Sequence, residues 1–330
     1  MSERRILRDV AEAAGVSLRT ASRVLNDDPR VAATTRERVQ DVMKELRYTP
    51  DLMARSLRGG TDATIGLVVE SIADPFFSEL VAAVESATSE DGKSVLVAST
   101  HADAERECRV VTELQRRRVA GLLVVPTASD HSWLAEAAAP LVLVDRPAEG
   151  LKADVVGIDD HRAAFEAVSH LIAHGHRDIA YIGDFSQVAT SAARLAGYRQ
   201  ALVEHGLAVP EHLIHADCPT PRSAAAAVSG LLAGAQQPTA LFSAATRCSL
   251  GVVPAMHEQR RTDIALVGFG DFAMADALVP AVTVVDHSGS VVGETAVARL
   301  IRRIGEPDLP PEVVQVPVAL VERGSGELRP

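Results

Sequence analysis

Residues 9–26 read DVAEAAGVSLRTASRVLN. Val10, Ala13 and Ala14 fall at helical spacing, and Gly15 follows as a residue permissive for a sharp turn. Ser17 is a candidate N-cap for a second helix, whose inner face is Ala21, Val24 and Leu25 while Leu18, Arg19, Ser22 and Arg23 stay outside. Thr34 and Glu37 have capping-box spacing, so a third helix is expected to begin near Thr34 and to bury Val39, Val42, Met43 and Leu46. Three short helices with a tight turn between the first two form a helix-turn-helix unit.

Outward from this unit the charge changes sign. Residues 1–60 hold 12 Lys+Arg against 9 Asp+Glu, which leaves 21 against 35 for the rest of the 330-residue chain of net charge -11. A small basic head on a large acidic body implies a polyanionic partner for the head alone. With 47% hydrophobic residues the chain can bury a large core in two or more units. The N-terminal stretch MSERRILRDV lacks a signal-peptide apolar run and no segment reaches membrane-span length, so a soluble, cytoplasmic protein is expected. Cys108, Cys218 and Cys248 are odd in number and widely spaced, which favours reduced thiols.

In the body, apolar runs alternate with amphipathic segments. TIGLVVE, SVLVAST, GLLVVP, PLVLVD, DVVGID, IAYIGD, TALFSA and IALVGF are candidate strands, with helices expected near 75–90, 104–118, 161–174 and 191–205. Near-continuous apolar strands between helices indicate parallel sheets covered on both faces. Their number exceeds one sheet, so two doubly wound α/β lobes are expected, with a ligand cleft at the carboxyl ends of the strands.

Taken in order, DVAEAAGVS, TASRVLN, RYTPDLMARSL, DPFF, GHRDIAYIG, RLAGY, LVGFGD and VALVERGS resemble the lactose-repressor (LacI/GalR) family of bacterial transcription regulators over nearly the whole chain. The resemblance implies a DNA-binding head (1–49), a hinge helix and linker (50–61) and a two-lobed core like periplasmic sugar-binding proteins (62–330). Lobe 1 is expected at about 62–160 and 288–317, lobe 2 at about 161–287 and 318–330, and a homodimer through the core. Family positions that hold operator phosphates are filled by Thr20, Ser22, Asn26 and Tyr48; those facing the major groove by Leu18, Arg19 and Arg23. In the hinge, Leu57 matches the leucine that wedges into the minor groove, with Ala54 small enough for close approach and Arg58 able to reach the groove walls.

For the cleft, the resemblance implies effector contacts from Asp74, Phe76 and Phe77, from Asp145, and from Arg194 with Thr190 one turn earlier. Phe242 is expected to end a strand beside the cleft. The chain also departs from the family. Ile6 stands for a capping threonine, Ala21 for a valine, Asp74 for an asparagine, Ala245-Thr246 for Asn-Asp, and Gly270 for an aspartate, leaving Asp271 as the next acid. In the family those residues usually bind sugar hydroxyls, so their loss argues against a simple hexose, and the effector is read as a sugar or related, less hydroxylated metabolite. Alternatives are a regulator without ligand response, an architectural minor-groove DNA-bending protein, and a transport solute-binding protein, which would lack the basic head. His170, His174 and His176 have no neighbouring cysteine or carboxylate cluster, so no metal is expected, and no nucleophile-base motif points to an enzyme.

Overall fold

Helices α1 (Leu7–Ala13), α2 (Leu18–Leu25) and α3 (Ala33–Glu45) build the head. The computed structural model describes residues 6–25, 28–46, 48, 64–127, 130–135 and 139–330. The chain divides into two units, Met1–Asp62 and Ala63–Pro330. Asn26, Ala54, Leu57 and Arg58 lie outside the described residues.

Gly15, at φ 63°, turns the chain after α1. The Val16 amide donates to Ala11 O (2.9 Å) and the Gly15 amide to Glu12 O (3.1 Å), which is a Schellman closure. At the start of α1, Ile6 supplies no cap, but the Asp9 carboxylate reaches back to accept from the Ile6 amide at 2.9 Å. Half of a capping box therefore survives the loss of a hydroxyl at position 6. Val10, Ala14, Val24 and Val39 form the head's core, flanked by Val42, Met43, Leu46 and Tyr48. Ala21 is also buried, whereas Leu25 is only half-buried. The Thr34–Glu37 box is not used: α3 starts at Ala33 behind Ala32, which makes no side-chain cap.

In the core, alternation of strand and helix produces β1 (Thr64–Val69), α4 (Pro75–Glu90), β2 (Ser94–Ser99), α5 (Ala104–Arg116), β3 (Gly121–Val124), β4 (Leu141–Asp145), β5 (Asp154–Gly157), α6 (Asp160–Ala173), β6 (Ile179–Ile182) and α7 (Ala189–Glu204). These are followed by β7 (Ile214–His215), α8 (Pro221–Ala233), β8 (Ala240–Ser243), α9 (Thr246–Glu258), β9 (Ala265–Phe269), β10 (Thr283–Asp286), α10 (Gly289–Gly305), β11 (Val313–Gln315) and β12 (Ala319–Val321). They form two six-stranded sheets, β11-β5-β4-β3-β1-β2 and β12-β10-β9-β8-β6-β7. Every pairing is parallel except β10 with β12. The chain passes between sheets after β5, after β10 and after β11, so each lobe is assembled from separated segments.

Burial of β1, β3, β4, β6, β8 and β9 on both faces explains their apolar runs. β2 departs from that expectation. It is an edge strand, and Leu96 and Val97 remain 38% and 40% exposed on this chain.

Candidate functional site

On the head, the Ser17 hydroxyl accepts from the Thr20 amide at 3.1 Å and so caps α2. That places the positive end of the helix dipole, Thr20 included, where a backbone phosphate can be held. Leu18 and Arg19 are exposed, while Ser22 and Arg23 are half-buried. The Arg23 guanidinium lies 3.6 Å from Asp28. Asp28 itself is gripped by Arg30 through Nε (2.9 Å) and Nη2 (2.8 Å), hydrogen bonds that hold its carboxyl well below the usual carboxylate range. Tyr48 is half-buried and packed against the head's core.

In the core, the candidate side chains gather where the strands of both sheets end. Glu70 follows β1, Asp145 and Arg146 close β4, and Asp74 caps α4 by accepting from the Phe76 amide at 3.1 Å. From the other lobe come Asp184 after β6, Thr190, Ser191 and Arg194 on α7, and Ala245, Thr246 and Arg247 at the start of α9. With Phe76, Phe77, Phe185, Val188 and His287 these residues enclose a cavity of about 40 Å³. That is space for a few waters, far below the volume of a typical ligand pocket.

The charges in this cavity are mutually paired. Arg146 contacts Glu70 at 3.3 Å and Asp145 at 3.0 Å. Arg194 donates from Nε to Asp160 at 2.7 Å and from Nη1 to the Ala244 carbonyl at 2.9 Å, and its guanidinium lies 3.9 Å from the centre of the Phe269 ring. Arg247 reaches Glu70 at 2.5 Å, Asp74 at 3.3 Å and Asp184 at 3.4 Å. Burial pushes the Asp74 carboxyl up against the pull of Arg247, and pushes Asp160 up to about 6 against the pull of Arg194. His287 stacks on Phe76 at 4.6 Å, and burial, then the nearby Arg194 charge, push its imidazole down to about 3, which keeps it neutral.

Of the residues expected at the cleft, Asp74, Phe76, Phe77, Asp145, Thr190 and Arg194 line the cavity. Phe242 does not. It is fully buried between Tyr181 (5.9 Å) and Phe269 (6.4 Å), because β8 is an inner strand and this position faces the helix layer. Asp271 also stands apart. It lines an adjoining hollow of about 390 Å³ with Phe76, Gly270 and His287, and Arg323 grips its two oxygens at 2.9 and 2.5 Å. Sequence reasoning missed Glu70, Arg146, Asp184, Ser191, Arg247 and His287. Most follow an apolar run within a few residues (VVE, VDR, IGD, VVDH), so the rule that ligands sit beyond strand carboxyl ends was a usable signal.

Gly270 adopts φ 86°, and a Cβ there would clash with Thr246 Oγ1. An aspartate at this position would therefore strain the local backbone and press on the Thr246 side chain. Gly270→Asp is expected to lower core stability by about 1–3 kcal/mol through overpacking and a strained dihedral, which denaturant titration reads. An unchanged midpoint would mean that the loop relaxes freely.

A helix-turn-helix head joined to a two-lobed α/β core with a polar cleft between its lobes defines a DNA-binding regulator built on a ligand-binding scaffold. Residues 6–51 match the bacterial regulatory proteins of the lacI family, and residues 168–326 match the periplasmic binding protein-like domain. The chain is 33% identical to the HTH-type transcriptional repressor PurR of Erwinia tasmaniensis, over 97% of this chain and 96% of that one. It is 32% identical to the ribose operon repressor of Escherichia coli, over 97% and 99%. Among solved structures, the lac repressor dimer bound to operator and the anti-inducer ONPF superposes with a TM-score of 0.87 at 28% identity, covering 98% of this chain and 99% of that one. The chain belongs to the LacI family and is a DNA-binding transcriptional regulator. Among the described residues no helix is long and apolar enough to cross a membrane.

Proposed function

We propose that the chain is a cytoplasmic repressor that binds a palindromic operator as a homodimer and is modulated by a sugar or related metabolite in the interlobe cleft. One observation carries the ligand response: the cavity wall is shared, with Glu70, Asp74 and Asp145 on one lobe and Asp184, Arg194 and Arg247 on the other. A ligand held by both walls discriminates between lobe arrangements, and only such differential binding shifts an equilibrium. Acceptors absent at Ala245 and Gly270 are replaced nearby by Glu70 and Asp184, which suits hydroxyl donors. Five carboxylates (Glu70, Asp74, Asp145, Asp160, Asp184) face three arginines (Arg146, Arg194, Arg247), a balance that disfavours anionic ligands. The exposed apolar side chains of β2 are consistent with a second copy of the core beside it.

On DNA, Leu18, Arg19 and Arg23 read base edges, Thr20, Ser22, Asn26 and Tyr48 hold phosphates, and the 50–61 hinge enters the minor groove with Ala54, Leu57 and Arg58. Footprinting of bound genomic sites tests the reading directly, because a palindrome must emerge and neighbouring genes point to the metabolite. Dispersed, sequence-independent protection would favour an architectural protein instead. The small, internally paired cavity favours a second reading, a regulator that answers to no ligand. No thermal shift with any metabolite of the footprinted genes would support it.

Leu57→Ala is expected to leave the core folded while lowering operator affinity about tenfold, or ~1.4 kcal/mol, and abolishing the bend. An alanine cannot fill an unstacked base step, and the effect is greatest on operators with a central pyrimidine-purine step. A bend-sensitive fluorescence pair checks this; unchanged bending would return the segment to the role of a linker.

A further inference from the structure

Among the described residues, Arg247 is the one charged side chain whose ion pairs join the two lobes. Its Nη2 contacts Glu70 at 2.5 Å and Asp74 at 3.3 Å on the first lobe, and its Nε lies 3.4 Å from Asp184 on the second. The side chain is 16% exposed, the three carboxylate side chains 5%, 11% and 12%, and the Phe185 ring stands 5.2 Å from the guanidinium. Three nearly buried carboxylates thus converge on a single cation. The Arg247 side chain is a long arm on a fixed base: Thr246, beside it at the start of α9, donates to the Phe269 carbonyl at 3.3 Å. A guanidinium suits the place better than an ammonium, since its planar fork can meet three separated oxygens at once.

We propose that Arg247 is an interlobe latch whose guanidinium fills a cation site made by Glu70, Asp74 and Asp184, so that the group able to take its place is a protonated amine or guanidinium on the entering molecule. The identity of the displaced side chain defines the ligand class. Without Arg247, Glu70 keeps Arg146 at 3.3 Å, but Asp74 and Asp184 face one another from opposite lobes with no cation between them, and their repulsion favours parting of the lobes. With one, the lobes close on it. This assignment rests on the cleft being the effector site, but its test needs no effector.

Full-length protein is compared with Arg247→Ala and Arg247→Gln by hydrogen-deuterium exchange, following residues 71–77 and 184–188, with circular dichroism to establish that each variant folds. Both variants are expected to exchange roughly tenfold faster in these segments than wild type, with other segments unchanged. Guanidinium chloride at low millimolar concentration is expected to restore slow exchange in the variants saturably, while sodium chloride at equal ionic strength does not. Wild-type exchange in the variants would overturn the latch. Equal rescue by sodium would overturn the cation site and leave only general screening. A failure of the effector reading shows elsewhere, as wild-type protein whose operator binding no metabolite alters.

Discussion

Asp160→Ala is expected to destabilise the core by about 3 kcal/mol, the low end for breaking a buried ion pair by removing one partner. Arg194 cannot shed its charge, and without Asp160 it keeps only the Ala244 carbonyl and the Phe269 face as close partners. Asp145 acts on it through space, which is why the low end applies. The reverse substitution behaves differently. In Arg194→Met the stranded group is a carboxyl already pushed up to about 6 by burial, and it responds by binding a proton. The unfolded chain then holds fewer protons than the folded one, so stability falls as pH rises. In wild type this contribution ends near pH 6, where Asp160 ionises in the folded state. In Arg194→Met the loss continues above pH 6 at about 1.4 kcal/mol per unit. Denaturant midpoints at pH 5, 6, 7 and 8 check both variants. A destabilisation by Asp160→Ala that vanished at low pH, or a flat profile for Arg194→Met, would contradict the assignment of the charge to the arginine.

The second large effect is expected on DNA. Arg23→Ala should weaken binding to the cognate operator by about 2 kcal/mol, some thirtyfold, while binding to random DNA changes little. Arginine can place two hydrogen bonds on guanine, and releasing Arg23 for that role costs little. Its contact with Asp28 is long at 3.6 Å, its side chain is 40% exposed, and Asp28 stays bidentately held by Arg30. Ser22→Ala, in contrast, should weaken both DNAs alike, because a phosphate contact carries no sequence information. Anisotropy titrations on the two DNAs at fixed salt decide the point; equal losses for Arg23→Ala would remove it from base reading.

Local chemistry was legible along the chain wherever one period governed a long segment. Helix α4 runs over Pro75–Glu90 as its amphipathic pattern and the Asp74 cap indicated, and α5 begins at Ala104 behind Asp103, whose side chain accepts from the Arg106 amide. The short strands β7, β10, β11 and β12 were not seen. β7, β11 and β12 span only two or three residues, and β11 and β12 are largely unburied, so no hydrophobic period marks them, whereas β10 is as long as β3 and its omission has no such reason. The same limit explains the cleft. Phe76 and Arg194 were read from motifs, whereas Glu70 and Arg247 lie 177 positions apart and no local pattern joins them.

By itself the sequence determined the helix-turn-helix head, the alternation that makes two parallel sheets, and the split between a basic head and an acidic body. These follow from side-chain period, turn residues and net charge, which are properties of neighbours along the chain. Only the tertiary structure decided which charges meet. It buried Phe242 instead of placing it at the cleft, turned Asp271 toward Arg323, closed Gly270 against a side chain, and set Arg247 among three carboxylates from two lobes. The chain passes between the lobes three times, so the cleft is assembled from segments far apart in sequence. Its electrostatics depend on distances of a few ångströms that only packing defines.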